Sequence, residues 1–259
     1  MLKKYIPDTI TLMNLLCGSI ACIMALEGRY YPAFLFIIAA AVFDFFDGFA
    51  ARALNSYSDL GKELDSLCDL VSFGLAPALM LFGWYRYSIV AHPALAWTAL
   101  LLPLASALRL ARFNTDPGQG DNFFGLAVPG AAMISAPLVG FVHISSIDGN
   151  VTSISAAMSG LLCSSWFIPL LSAVLSILMV SRIPMFSLKH KKLSFRKFPL
   201  VTLFIYIFLL ILVLLQAYAI SAGVENGFLH FTLPLGICTG ISLYVVLNVI
   251  GAIFRRKTE

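Results

Sequence analysis

The sequence is poor in charged residues and has no recognisable disulfide framework. Only 12% of its 259 residues are charged, whereas a soluble domain carries about 25%. Its five cysteines are scattered without a Cys-x-x-Cys pair, which is typical of small apolar residues in a reduced or lipid setting. A net charge of +4 is too small to indicate binding to nucleic acid. These absences argue against a soluble domain, a disulfide scaffold and a nucleic-acid-binding protein.

Long apolar segments dominate the chain instead. Hydrophobic residues make up 60% of it, and the mean hydropathy is +0.92. A bilayer core about 30 Å thick is spanned by about 20 helical residues. The first apolar segment has no A-x-A-like cleavage site, so we expect it to be retained. We predict an all-α polytopic membrane bundle of about eight transmembrane helices, near residues 8–27, 31–54, 62–84, 91–113, 127–147, 152–180, 199–221 and 229–254.

The distribution of positive charge predicts how these helices are oriented. An even number of spans places both termini on one side of the membrane. With the termini inside, 15 of the 17 lysines and arginines fall at cytoplasmic ends or loops, and only Arg29 and Arg86 fall outside. Because cytoplasmic loops are enriched in these residues, we predict cytoplasmic termini in a bacterial-type inner membrane. The basic run 182–197 then lies against anionic lipid headgroups.

Four aspartates lie in one short stretch, residues 44–69, of this otherwise apolar chain. Asp44 and Asp47 are three residues apart, and Asp65 and Asp69 are four apart. On helices, each pair projects from one face, and the polar and glycine residues at 58–61 predict a turn between two helices. Two carboxylate pairs that face each other form an oxygen cage suited to hard divalent cations. We therefore predict a metal site, on the cytoplasmic side.

Their place in the membrane favours a functional role for these aspartates over a structural one. A carboxylate at depth costs roughly 2.5–3.5 kcal/mol, so four at one level are rarely idle. Four carboxylates without cations would repel one another, and two-metal sites are common in phosphoryl chemistry. We expect Asp44, Asp47, Asp65 and Asp69 to bind two divalent cations, Mg²⁺ or Mn²⁺. We also expect Asp69, the last of the series, to take the proton from an attacking hydroxyl.

Small and polar residues flank the aspartates. Gly48 and Ala51 lie one turn apart and open a slot beside the backbone, although close helix packing explains them equally well. Arg52, one turn beyond Gly48, offers donors suited to a phosphate, or else extends to the membrane surface. Thr11 and Asn14 share one face of the first helix, where they either line a site or bond between helices. Asp59 is expected to cap the third helix.

The spacing resembles the signature of the CDP-alcohol phosphotransferases, integral membrane enzymes of phospholipid synthesis. The matching pattern is Asp44-x2-Asp47-Gly48-x2-Ala51-Arg52-x8-Gly61-x3-Asp65-x3-Asp69. The resemblance implies that the first three aspartates bind two divalent ions and that the fourth is both ligand and base. It further implies that the cytidine and diphosphate pocket is lined by Gly48, Ala51, Arg52, Ser58 and Gly61.

The resemblance also implies a domain organisation and an assembly. Six core helices would form a catalytic membrane core over residues 1–180. The remainder, residues 181–259, would comprise the basic cytoplasmic loop and two further transmembrane helices. Members of the family are expected to form homodimers, and no interface is legible in this sequence.

Within the family, two flanking segments resemble the members that use serine as the acceptor. They are Ile-Pro-Asp-x-x-Thr-x-x-Asn at 6–14 and Arg-Leu-Ala-Arg-Phe-Asn at 109–114. The first implies contacts with the CDP-lipid by Asp8, Thr11 and Asn14. The second implies that the serine carboxylate or the lipid phosphate is held by Arg109, Arg112 and Asn114. The implied reaction converts L-serine and CDP-diacylglycerol, in a lipid membrane, to phosphatidylserine and CMP.

Two departures from the family pattern leave alternatives open. Asp8 stands where asparagine is expected, and residues 126–129, Leu-Ala-Val-Pro, replace a Gly-Leu-Pro-x-Pro arrangement. Both concern recognition of the acceptor or lipid more than metal chemistry. One alternative is a sibling transferase that uses glycerol phosphate or an inositol phosphate. Another is a divalent-metal transporter, which would spread its acids along a transmembrane path instead of at one level.

Overall fold

The computed structural model describes residues 5–54, 56, 58–89, 92–115, 123–149, 151–185, 199–224 and 226–255. Within them the chain forms ten α-helices and two short strands, and the predicted all-α class is confirmed. The helices are α1 (Tyr5–Leu26), α2 (Tyr30–Ala53), α3 (Asp59–Asp69), α4 (Ala76–Ser88), α5 (Leu101–Thr115), α6 (Val128–Ile147), α7 (Ser153–Leu162), α8 (Phe167–Val180), α9 (Pro199–Ser221) and α10 (Leu233–Arg255). The strands, β1 (Phe123–Phe124) and β2 (Pro184–Met185), pair antiparallel. Most of the basic run 182–197 lies outside the described residues.

Several helices continue into one another and form longer spans. A π-helical segment, Leu70–Leu75, joins α3 to α4, and a 3₁₀ segment, Pro93–Leu100, leads into α5. In the described part of the chain, seven helices are long and apolar enough to cross a membrane. An eighth span results if α7 and α8, which meet at 81°, are counted as one broken span. The prediction of about eight membrane-spanning helices is confirmed.

The centre of the bundle is built on close contacts between helices. Gly140 on α6 lies against Phe34 on α2, where an added Cβ would come within 3.0 Å of the Phe34 Cβ. A Cβ added to Gly83 on α4 would likewise come within 2.9 Å of the Tyr30 hydroxyl on α2. Ala25 on α1 is fully buried between these helices. Small side chains allow helix backbones to approach in membranes, and here they bring α6 and α4 close to α2, and α4 close to the Ala25 carbonyl of α1.

The C-terminal helices pack on the same bundle, at the end where α6 finishes. The hydroxyl of Tyr31 donates to the carbonyl of Leu229 at 3.0 Å. Asp148 Oδ2 and His230 Nδ1 are 2.6 Å apart. α10 also packs along α6, where Cys238 Sγ donates to the Ile134 carbonyl at 3.5 Å. The division of the chain near residue 180 stays a prediction, because these contacts join both parts.

Candidate functional site

α2 and α3 bring three predicted metal ligands together. Asp44 and Asp47 project from the last turns of α2, and Asp65 projects from α3 opposite them. One carboxylate oxygen from each lies within 4.8 Å of the other two. The spacings predict a cage of four carboxylates, and three of the four lie together here at one level of the bundle.

Two of these carboxylates have a buried oxygen atom that lacks a hydrogen-bond partner. Asp47 is only 6% exposed, and its Oδ2 is buried without a hydrogen-bond partner. Asp65 Oδ1 is buried and unpartnered in the same way. A buried carboxylate oxygen without a partner is strongly disfavoured. Hard divalent cations take carboxylate oxygens as ligands, so the residues present fit such an ion.

Asp69 lies beside this cluster at the end of α3. It is 8% exposed, and its Oδ1 accepts a hydrogen bond of 3.2 Å from Asn14 Nδ2 on α1. It also interacts electrostatically with the other three aspartates. The π-helical segment begins at the next residue, and π-helical turns are frequent at functional sites. The hydrogen bond from Asn14 therefore fixes Asp69 against α1, at the border of the acidic cluster.

A polar cavity of about 160 Å³ opens next to the cluster, between α1, α2 and α3. Asp47 and Asp65 form part of its wall. Of the residues predicted to bind the CDP-lipid, six line it, and they are Asp8, Thr11, Gly48, Ala51, Ser58 and Gly61. Three further lining residues were not predicted, namely Pro7, Ser56 and Lys62. Lys62 is a basic residue at the start of α3, close in sequence to the four aspartates. That position is the sequence signal that could have identified it as a cavity-wall residue.

The turn before α3 shapes this cavity. Ser58, and not Asp59 as predicted, is the N-cap, because its Oγ accepts a hydrogen bond of 3.0 Å from the Gly61 amide. Asp59 is the first residue of the helix, where its negative charge suits the helix dipole. A Cβ on Gly61 would come within 3.0 Å of both Asp8 Oδ1 and Ser58 Oγ. The absence of a side chain at Gly61 therefore lets α1 approach this turn.

Two of the predicted CDP-lipid contacts lie outside the cavity wall. Asn14 is fully buried and bonds Asp69 instead. Arg52 is exposed, and its Nη1 would lie 3.7 Å from a Cβ on Gly48. The guanidinium is therefore at the rim of the cavity, beside the small residues that open it.

The three predicted acceptor residues on α5 have different surroundings. Arg109 lies near Asp69, and its Nε is buried without a hydrogen-bond partner. Arg112 is exposed and donates to the Val180 carbonyl on α8 at 3.5 Å. Asn114 Nδ2 donates to Glu63 Oε2 at 3.2 Å and to Ser66 Oγ at 3.0 Å. Of the three, only Arg109 is beside the acidic cluster.

The comparison with protein families agrees with this geometry. A model of the CDP-alcohol phosphatidyltransferase family matches residues 4–144, which is more than half of the chain. The chain belongs to this family. The matched residues include the four aspartates, the cavity wall and Arg109, whereas α7 to α10 follow the matched range.

Individual members of the family that resemble this chain carry related names. A CDP-diacylglycerol–serine O-phosphatidyltransferase of Bacillus subtilis is 40% identical over 130 residues, which are 50% of this chain and 72% of that protein. One of Mycobacterium leprae is 33% identical over 190 residues, 70% of this chain and 58% of that protein. An archaetidylserine synthase of Methanothermobacter thermautotrophicus is 33% identical over 161 residues, 59% of this chain and 66% of that protein.

Proposed function

We propose that this chain transfers the phosphatidyl group of CDP-diacylglycerol to the hydroxyl of L-serine, which yields phosphatidylserine and CMP. The observation that carries this proposal is the cluster of Asp44, Asp47 and Asp65 in the wall of a polar cavity. The names of the Bacillus subtilis and Mycobacterium leprae relatives support serine as the acceptor. The archaeal relative, whose name also specifies a serine lipid, supports it as well.

The cluster is proposed to hold two divalent cations, Mg²⁺ or Mn²⁺. Asp44, Asp47 and Asp65 provide carboxylate oxygens close enough to share such ions, and Asp69 adds a fourth carboxylate beside them. Bound cations neutralise the charge of a diphosphate and of the departing phosphate.

The cavity is proposed to bind the cytidine and diphosphate of the lipid substrate. Gly48 and Ala51 leave space along α2, and the Ser58 and Gly61 turn closes the opposite wall. Arg52 at the rim provides donors that pair well with phosphate oxygens. Lys62 in the wall donates through its Nζ to the Asn114 carbonyl at 3.1 Å, and the other N–H groups of its ammonium are proposed to serve the phosphates. Asp8 and Thr11 complete the wall from α1.

Asp69 and Arg109 are proposed to act on the acceptor. Asp69 accepts the proton of the serine hydroxyl while the serine oxygen forms a bond to the β-phosphorus. The bond from that phosphorus to the bridging oxygen breaks, and CMP leaves. The Arg109 guanidinium, near Asp69 and with an unpartnered Nε, is placed to bind the serine carboxylate. Arg112 and Asn114 remain predicted acceptor contacts, although both have other partners here.

A CMP-release assay tests the proposal. The purified protein is incubated with CDP-diacylglycerol, Mn²⁺ or Mg²⁺, and in turn serine, glycerol phosphate or inositol phosphate. We expect CMP release with serine, and a loss of about 100-fold or more in Asp69→Asn. Asp59→Asn, on the exposed first turn of α3, is the matched control and should remain active. Release with a phosphorylated acceptor alone would identify a sibling transferase, and metal flux into vesicles without CMP would identify a transporter.

The membrane orientation, the assembly and the domain division belong to the same proposal. We place the acidic cluster and both termini on the cytoplasmic side because 15 of the 17 lysines and arginines then face inward. The enzyme would act as a homodimer, with residues 1–180 as the catalytic core. Light scattering of the purified protein, corrected for bound detergent, measures its oligomeric state, and a monomeric mass would contradict the dimer.

A further inference from the structure

A second, larger groove lies on the outside of the bundle, between α5 and α8. It has a volume of about 630 Å³ and mostly apolar walls. Leu104 on α5 and Ile177 on α8 are 67% and 68% exposed, so the groove opens sideways to the surroundings of the bundle. Its lining shares no residue with the polar cavity at the aspartates. The groove is therefore a separate feature of the fold.

The groove extends through about a third of the thickness of the membrane core. On α5 it is lined from Leu101 to Leu108, and on α8 from Ala173 to Val180 and Ser181. From Leu101 to Leu108 the helix rises about 10 Å, against a hydrocarbon core of about 30 Å, and Arg112 lies one turn beyond the lining. Its shallow end is on the same side as the acidic cluster, because Asn114 at the end of α5 bonds Glu63 near the start of α3. This length accommodates the part of one acyl chain nearest the headgroup, within one leaflet.

The shallow end of the groove carries positive charge. Arg112 is exposed, and its Nη1 donates to the carbonyl of Val180, which lines the groove. In the described part of the chain no carboxylate forms a salt bridge with Arg112. A guanidinium has five N–H donors, so this single long bond of 3.5 Å leaves donors available for an anion.

A polar atom lies within the groove one turn deeper. Ser176 lines the groove, and its Oγ is buried without a hydrogen-bond partner. Beyond it, toward Leu101 and Ala173, the lining is apolar. Ligand sites commonly combine apolar walls with a few polar groups that fix orientation. The order from the surface inward is a cation, a hydroxyl and then an apolar channel, which parallels phosphate, ester and acyl chain in a glycerophospholipid.

We propose that this groove binds one acyl chain of an anionic phospholipid of the bilayer, with its phosphate on Arg112 and its ester at Ser176. In this proposal Arg112 binds the lipid in place of the acceptor contact that the sequence predicts for it. The charge of Arg112 favours an anionic headgroup over a zwitterionic one. The groove is separate from the cavity proposed for the cytidine and diphosphate, since the two lie on different helices and share no wall, and we assign it to a lipid other than the substrate. The site binds a resident lipid beside the helix that carries Arg109.

Photo-crosslinking tests this proposal on the full-length protein in detergent micelles. The probes are phosphatidylglycerol and phosphatidylcholine with the same diazirine-bearing acyl chain. We expect phosphatidylglycerol to label α5 and α8 about fivefold more than phosphatidylcholine, as one arginine at an anionic lipid contributes about that factor. Arg112→Gln should abolish the preference. Arg86→Gln, which removes the same charge at the far end of α4, should keep it.

A second pair of variants tests the groove itself. Ala173→Trp fills the channel and should reduce labelling by both probes, whereas Val174→Trp, at an exposed position outside the lining, should not. If Ala173→Trp does not fold, Ile177→Glu places a negative charge on the exposed wall and should reduce labelling by phosphatidylglycerol selectively.

Three results would overturn the proposal. The first is equal labelling of α5 and α8 by both probes. The second is a loss of labelling with unlabelled CDP-diacylglycerol but not with unlabelled phosphatidylglycerol, which would assign the groove to the substrate. The third is a change in oligomeric mass in Ala173→Trp without a change in labelling, which would make the groove an interface between copies of the chain. None of these readouts depends on catalytic activity.

Discussion

At the scale of single residues, the hydrogen bond from Asn14 to Asp69 connects α1 to the proposed base. Both side chains are buried, and Asn14 Nδ2 is 3.2 Å from Asp69 Oδ1. We expect Asn14→Ala to lower kcat for CMP release at least tenfold while the KM for CDP-diacylglycerol changes little, because Asp69 loses its orientation. The measurement is steady-state kinetics at varied lipid and serine. Thr9→Ala, on the exposed face of α1, is the control.

The opposite kinetic result would support the role that the sequence pattern predicts for Asn14. A higher KM for CDP-diacylglycerol with unchanged kcat would mean that Asn14 binds the lipid substrate, as the sequence pattern implies. The two roles differ in which parameter changes, so one variant separates them.

Loss of one carboxylate from the cluster is predicted to weaken metal binding. Asp47→Asn removes a proposed ligand and one negative charge from three groups whose oxygens lie within 4.8 Å. We expect Mn²⁺ affinity, measured by isothermal titration calorimetry, to fall about 100-fold or more. Even residues that only hydrogen-bond to metal ligands change metal affinity by about 10–100-fold when they are substituted. The metal-free variant should nevertheless melt at a higher temperature than the metal-free parent, because repulsion within the cluster is reduced.

The control for Asp47→Asn is another aspartate outside the cluster. Asp59→Asn should retain the affinity for Mn²⁺ and the increase in melting temperature that the metal produces. If Asp47→Asn bound Mn²⁺ as tightly as the parent, the cluster could not be the metal site.

At the scale of elements, the approach of α1 to α3 depends on Gly61. A methyl group there would lie within 3.0 Å of Asp8 Oδ1 and Ser58 Oγ, so one of these cavity-wall groups must shift. Alanine also favours helix by about 1 kcal/mol over glycine, which offsets the loss of packing. We expect Gly61→Ala to fold normally but to raise the KM for CDP-diacylglycerol several-fold in the CMP-release assay.

Gly160 provides a matched control in another helix. It lies in α7, and a Cβ added there meets nothing within 4 Å. Gly160→Ala should therefore leave the KM unchanged. An equal effect of both substitutions, or none from Gly61→Ala, would show that the narrow contact at Gly61 does not shape the lipid-binding cavity.

For single residues and single elements, the sequence predicts a feature when the residues that form it are close together in the chain. The aspartate spacings predict the cluster, because helical periodicity alone places Asp44 and Asp47 on one face. The N-cap at Ser58 was missed by one residue, since Ser58 and Asp59 are both good caps and only the bond to the Gly61 amide distinguishes them. The bonds from Asn114 to Glu63 and Ser66 join residues about fifty positions apart. No local pattern predicts such a pairing.

At the scale of the whole molecule, hydropathy predicts most of the architecture. The membrane requires every span to satisfy its own backbone hydrogen bonds, so helix number follows from apolar length. The break between α7 and α8 and the π-helical segment after Asp69 do not follow from hydropathy. Both are local changes of backbone geometry inside apolar sequence, which a hydropathy profile does not record.

The orientation of the bundle can be tested directly with two introduced cysteines. Asp59 is exposed at the start of α3, beside the acidic cluster, and Val151 is 72% exposed in the loop after α6. α6 crosses the bundle between these levels. Each site is changed to cysteine in a Cys163→Ser background, because Cys163 is the exposed cysteine of the described chain. The reagent is a membrane-impermeant maleimide, applied to intact cells and to inverted vesicles.

The positive-inside distribution decides the expected result. Asp59→Cys should react only in inverted vesicles, and Val151→Cys only in intact cells, because the lysine- and arginine-rich ends then face the cytoplasm. The Cys163→Ser parent should remain unlabelled in both preparations. The reversed pattern would place the aspartates on the outer side, away from a cytoplasmic supply of CDP-linked substrate. In that case the proposed transfer reaction would lose its physical basis even with the metal cluster intact.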